Sequence, residues 1–239
     1  MFTSNPFAAL SADLPLDPGV MQAYVILMVL LVIGGTLLDV VHKKSAKYFF
    51  EKGQSLKKIA KREVGGGEKI GIAVSTLTNE VLTSSEFENP ARRVSHLFTM
   101  YGFIFFVATT AIMIFGLPVA AGEGSGLLAL LWHLGALAMC IGGYWFWFKI
   151  RADVRSDGHK WHDVHLSDLF IVSLLLMATF ALIWSALQAS NGVTAVSTMI
   201  AFILFIVAAT TLFSTILWSK FAHMFFKPAA AFQKKVAVA

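Results

Sequence analysis

The chemistry open to this chain rests on its seven histidines, because its one cysteine, Cys140, cannot by itself build a disulfide, a zinc cluster or an iron–sulfur cluster. His96 and His223 are a pair suited to iron: two imidazoles at one depth on separate helices can approach the two faces of a b-type haem held between them. Arg92 and Arg93 precede His96 by one helical turn and Lys220 precedes His223 in the same way, so each puts a basic group where haem propionates would lie. A second group, Trp161, His162, His165 and Asp168, offers hydrogen-bond and proton donors for the carbonyls of a quinone. His133 has no histidine at its depth, so an outer haem would need Met113 or Met199 as its second ligand; a bundle-facing ring bonded to a hydroxyl or carbonyl is the simpler reading. Each group also has a plainer reading. His96 and His223 would then be helix-end residues among snorkelling bases, and the second group a hydrated connector capped by Ser167 or Asp168.

Depth is assigned by five apolar stretches at about 21–41, 96–117, 127–148, 167–188 and 195–218, each close to the ~20 residues that cross ~30 Å of hydrocarbon as a helix. The expected fold is therefore an all-α integral membrane protein, a five-transmembrane-helix bundle forming a single membrane domain over 1–239. Threaded in alternation, the stretches leave all nineteen Lys and Arg residues on one side, within 43–93, 149–160 and 220–235. The other side receives Asp13, Asp17 and Glu123 and no basic residue. By the positive-inside rule the N-terminus is outside and the C-terminus cytoplasmic, which gives a multi-pass protein of the cell inner membrane.

Composition agrees: 57% apolar and only 14% charged residues exceed what a soluble surface tolerates. The net charge of +5 follows topology and favours anionic headgroups, not nucleic acid. No phosphate-binding loop, dinucleotide fingerprint or nucleophile elbow is present. The segment before the first stretch lacks a basic n-region and a cleavage pattern, so that stretch is expected to be retained as a span.

One excursion interrupts the bundle, the cytoplasmic loop 42–95. Lys43–Glu63 has the pattern of an amphipathic helix at the inner headgroups, and Gly65, Gly66 and Gly67 read as a hinge. Ile70–Val81 is a second short helix, and Asn89-Pro90 a turn before the second span. Tyr144, Trp145, Trp147, Trp184 and Trp218 read as interfacial belt residues.

The run Asn89-Pro-Ala-Arg-Arg-Val-Ser-His-Leu-Phe-Thr-Met-Tyr-Gly-Phe103, with Trp218-Ser-Lys-Phe-Ala-His-Met-Phe225, resembles the cytochrome b membrane subunits of the nitrate reductase gamma type. Within that group the chain is similar to the subunits of the quinone-interacting membrane-bound oxidoreductase. The similarity spans about Met21 to Phe226, and its specific matches are these two runs and Asp168-Leu-Phe170. The resemblance implies His96 and His223 as inner-haem ligands and passage of electrons between membrane quinone and a soluble cytoplasmic oxidoreductase. Two departures narrow it. The positions that hold outer-haem ligands in such cytochromes are Phe106 and Phe205 here, and the fused iron–sulfur domain is absent. The chain thus resembles most the membrane anchors of dissimilatory adenylylsulfate reductase, as found in sulfur-oxidising bacteria. That resemblance implies a soluble flavin and iron–sulfur partner that oxidises sulfite with AMP to adenylylsulfate, and one b-type haem in the anchor. A haem-free anchor, which binds quinone or simply the partner, is the alternative. A transporter is disfavoured, because no span after the first carries an interior charged residue and no inverted repeat is evident.

Overall fold

In the computed structural model, the described residues are 5–14, 16–42, 51, 53–56, 58, 64–85, 87–116, 125–151, 162, 164–215 and 223–238. For 40, 42, 80, 81, 125, 167 and 223–227 the description is limited to the backbone. Among the described residues the structure is helical and contains no strand. Five helices are long and apolar enough to cross a membrane: α2 (Pro18–His42), α4 (Pro90–Phe115), α5 (Ser125–Trp145), α6 (Leu169–Asn191) and α7 (Val196–Ser214). The shorter helices are α1 (Pro6–Asp13), α3 (Gly66–Thr76) and α8 (His223–Val238). A π-helical turn, Leu77–Leu82, extends α3, and another, Phe146–Ile150, extends α5.

Local sequence explains where the helices begin and end. Asn89 caps α4 by accepting from the backbone N–H groups of Ala91 and Arg92, and Pro90 occupies the first helical position, where its missing N–H costs nothing. The second span therefore starts at Pro90, six residues earlier than the expected His96, and puts His96 well inside a helix. Asn5 and Pro6 start α1 in the same way. Gly192, at a φ of 83°, ends α6 in a conformation that a side chain would strain. The glycines read as a hinge instead open α3, with Gly65 as its N-cap. The short helix after them forms as expected. The amphipathic helix expected over Lys43–Glu63 lies largely outside the described residues. α7 ends at Ser214, so His223 opens a separate helix and does not close the fifth span.

The bundle is built on the antiparallel pair α4 and α5. Gly102 and Gly135 sit at their crossing, where a Cβ on Gly102 would lie 2.7 Å from the Gly135 carbonyl oxygen and one on Gly135 would lie 2.8 Å from the Phe106 nitrogen. Small residues of this kind let two backbones meet, which in lipid replaces the missing hydrophobic drive with close van der Waals contact. Toward one end the Ser95 hydroxyl donates to the Gly142 carbonyl at 2.8 Å. Toward the other, Trp132 Nε1 donates to Thr110 Oγ1 at 2.8 Å. α6 packs on α5, with Tyr144 and Thr179 hydroxyls 2.8 Å apart, and α7 packs on α6. α2 is peripheral: only 11% of its apolar window is buried, against 44% for α5 and α6, and it is held through the Tyr24 hydroxyl on Thr210 at 3.0 Å.

α1 closes the end at which α6 gives way to α7. Phe7 and Leu10 are buried there, the Asn5 amide donates to the Met113 carbonyl, and Gln188 donates to the Pro6 carbonyl at 3.0 Å. At the opposite end lie α3 and α8, packed on each other.

Candidate functional site

Three consecutive residues of the connector are gripped by side chains of α4. Tyr101 donates its hydroxyl to the Leu82 carbonyl at 2.7 Å, Arg93 Nε donates to the Thr83 carbonyl at 2.7 Å, and His96 Nδ1 lies 3.1 Å from the Ser84 hydroxyl. Ser84 is buried and holds a φ of 49°, a left-handed conformation that costs a non-glycine residue of order 1 kcal/mol and persists only where its surroundings impose it. The Phe87 ring completes the clasp, its centroid 5.0 Å from that of His96. A histidine oriented through Nδ1 by a hydroxyl is suited to metal ligation through Nε2.

Helix geometry sets the direction of His96. Phe103, seven residues on and so about 10 Å along the same face, meets Phe213 of α7 with ring centroids 6.4 Å apart. His96 therefore lies on the stripe of α4 that carries Phe103, about 10 Å nearer the helix start, with its side chain exposed. Arg92 is half-buried one turn before it, while Arg93 is engaged with the connector. The His223 side chain and Lys220 lie outside the described residues. The Gly102 surface is taken by the neighbouring helix α5.

At the depth of the missing outer-haem ligands the space is filled with aromatic side chains. Phe106 and Phe205 touch edge to face at 6.3 Å, Trp132 stacks on Phe106 at 5.0 Å, and Trp184 stacks on Phe205 at 5.8 Å. These rings form the most buried part of the core.

His133 is buried beside them and fully engaged. The Ala129 carbonyl can only accept, so Nδ1 carries the proton and donates to it at 2.6 Å, and Nε2 accepts from the Ser185 hydroxyl at 2.7 Å. Nε2 thus pins α5 to α6 while Nδ1 bonds back within α5, a bundle-facing ring on a hydroxyl and a carbonyl as the simpler reading expected. His133→Phe is expected to cost about 1–2 kcal/mol, because it leaves the Ser185 hydroxyl buried without its acceptor. Unfolding in mixed micelles would measure the loss, and Ser185→Ala in the same background should recover part of it.

Of the second group, Trp161 lies outside the described residues, and His162 and His165 are exposed. Asp168 accepts from the His165 backbone N–H at 3.0 Å and from Arg151 at 2.6 Å. The Arg151 guanidinium also lies 3.9 Å over the Trp147 ring. Here the carboxylate closes the short 3-10 turn Leu166–Asp168 that leads into α6 and ties it to the end of α5, a structural use close to the capping alternative. Trp147 is thus buried under Arg151, and Trp184 is a core residue with none of its surface exposed; neither is a belt residue. Trp218 is outside the described residues.

No family model, curated protein or solved structure matches this chain. Geometry therefore carries the functional reading. The clasp of Leu82 to Phe87 and the aromatic cluster at α1 were not found by sequence reasoning. Neither has periodicity or spacing to mark it, since both join residues far apart in the chain. The one local signal was Ser84-Ser85 directly before a polar, helix-breaking run.

Proposed function

We propose that this chain is a membrane-anchoring electron-transfer subunit, N-terminus outside and C-terminus in the cytoplasm, of the cell inner membrane. It links a soluble cytoplasmic flavin and iron–sulfur oxidoreductase, of the adenylylsulfate reductase class, to the quinone pool. The observation that supports this most is the placement of His96: it stands near the start of α4 with its ring oriented by Ser84 and Phe87.

The orientation of His96 by Ser84 supports a b-type haem at this end, and the packed rings of Phe106, Trp132, Trp184 and Phe205 argue against one in the middle of the bundle. His96 would hold the iron through Nε2, with His223 as the second ligand, and Arg92 and Lys220 would meet the propionates. Bound there, the group supplies a one-electron carrier between the partner's clusters and quinone. Ser84 keeps the imidazole in one orientation, the α4–α5 crossing keeps the helix from shifting, and the aromatic core excludes water from the middle of the bundle. His162 and His165, exposed beside α6, remain candidates for proton delivery to quinone on the inner side.

The same clasp favours a second reading, a haem-free anchor in which His96 only secures the connector. A reduced-minus-oxidised spectrum of the purified chain with its soluble partners separates the two. About one b-type haem per chain is the expected result. Absence of the band from a folded, complete preparation overturns the haem reading and leaves the haem-free anchor.

A further inference from the structure

At the end closed by α1 lies a cavity of about 330 Å³, at the lower bound of the ~300–1,000 Å³ typical of small-molecule sites. Its roof is Leu10, Leu14 and Leu16, and Met199 and Ile203, both largely exposed on the outer face of α7, form its mouth toward lipid. Two polar side chains line it, Trp184 and Thr198, which are 0% and 1% exposed. Trp184 Nε1 and Thr198 Oγ1 are both buried without a hydrogen-bond partner. An unmet buried donor costs roughly 1–3 kcal/mol, so two at one cavity call for an occupant.

The chemistry of the wall restricts that occupant. Water needs two to four polar partners, and the rest of this lining is hydrocarbon and aromatic carbon. An indole N–H can only donate, so its partner must accept. The Trp184 ring stacks on Phe205 at 5.8 Å and meets the tilted ring of Phe202 at 4.9 Å, which fixes the direction of its N–H before anything binds. A flat apolar ring bearing acceptor oxygens, entering sideways from the bilayer, meets every one of these conditions.

We propose that this cavity binds the headgroup of a membrane quinone, one carbonyl accepting from Trp184 Nε1 and the Thr198 hydroxyl donating to a second oxygen. The ligand's identity rests on the quinone-linked function proposed above; the site itself rests on the cavity and its two unmet polar atoms. It lies at the opposite end of the bundle from His162, His165 and Asp168, and so is a quinone-binding site separate from the inner one that those residues would serve. Because Trp184 cannot accept, the oxidised quinone binds more tightly than the quinol, whose hydroxyls would offer protons to a donor.

The test is titration of the full chain in phosphatidylcholine nanodiscs with a decyl-chain benzoquinone, followed by calorimetry. Trp184→Phe keeps an aromatic ring and removes the N–H, and Thr198→Val keeps the shape and removes the hydroxyl. Each is expected to weaken binding about tenfold. Thr198→Val should do so without lowering thermal stability, since its hydroxyl has no partner in the protein, whereas Trp184→Phe also gives up ring contacts in the core. Ile203→Trp, which blocks the mouth, should abolish binding. Unchanged affinity in all three variants overturns the proposal, and Thr198→Val decides alone if Trp184→Phe fails to insert. A phospholipid ester carbonyl shares the acceptor chemistry. If mass spectrometry finds a bound phospholipid that the quinone does not displace, the quinone assignment falls. His96→Ala should leave the quinone affinity unaltered, and Trp184→Phe the haem band, so failure of this site and failure of the haem reading are told apart.

Discussion

His96→Ala abolishes the b-type absorption band while the protein still inserts in the membrane: this is the expected result with the largest spectroscopic effect. Loss of an axial imidazole removes the bond that holds the iron, and α4 carries no second histidine to replace it. His223→Ala is expected to do the same. Ser84→Ala gives a graded result that tests the geometry more closely, because it leaves the ligand and removes only the hydroxyl 3.1 Å from Nδ1. Haem affinity should then fall by about 10–100-fold, the usual effect of removing a group that orients a metal-bound histidine. Normal haem content in His96→Ala would remove His96 from the ligand set. If His96 instead serves only the clasp, the absorption spectrum is indifferent to it, and the variant shows faster proteolysis between Leu82 and Phe87.

Gly102→Leu should prevent the bundle from assembling. A Cβ at this position already meets the Gly135 carbonyl oxygen at 2.7 Å and the Met139 nitrogen at 2.8 Å, and both are backbone atoms that cannot rotate away. The helices must separate, which strips the contacts between α4 and α5 and breaks the Ser95 bond to Gly142. The cost is expected to reach or exceed the ~3 kcal/mol upper range for overpacked cores, enough to lose a large share of folded protein. Gly34→Leu is the control: nothing lies within 4 Å of a Cβ there, so it should insert and fold normally. Fluorescence size-exclusion profiles of the two variants would check this. A normal profile for Gly102→Leu would mean that α4 and α5 do not cross at the glycines.

The two results bear on different parts of the molecule. Gly102 holds α4 on α5 through one face, and His96 uses another, the face that carries Phe103. A single helix thus serves as both structural centre and site scaffold. Its face assignments follow from positions 95, 102 and 106 packing on α5 while 96 and 103 turn away.

The number and approximate place of the membrane helices were determined by sequence alone, because ~20 apolar residues in a row have one low-energy fate in lipid, a hydrogen-bonded helix. Asn89-Pro90 marked the turn before the second span, because capping is a local matter of backbone groups, although the helix begins at Pro90 itself. His133 was also legible: a lone histidine in a span must find partners within the bundle, and it found Ala129 and Ser185. Tertiary structure decided the rest. Sequence could not tell that Trp184 belongs to the core and not the belt, that Asp168 is held by Arg151, or that Ser84 reaches His96. Nor could it tell that Phe7 and Leu10 of α1 return to close the bundle. In lipid a helix is hydrophobic on every face, so periodicity no longer reveals which side meets a neighbour. Only the crossing of particular helices, set by small residues in close contact, selects the inward side chains and leaves the indole of Trp184 without a partner at the cavity that it lines.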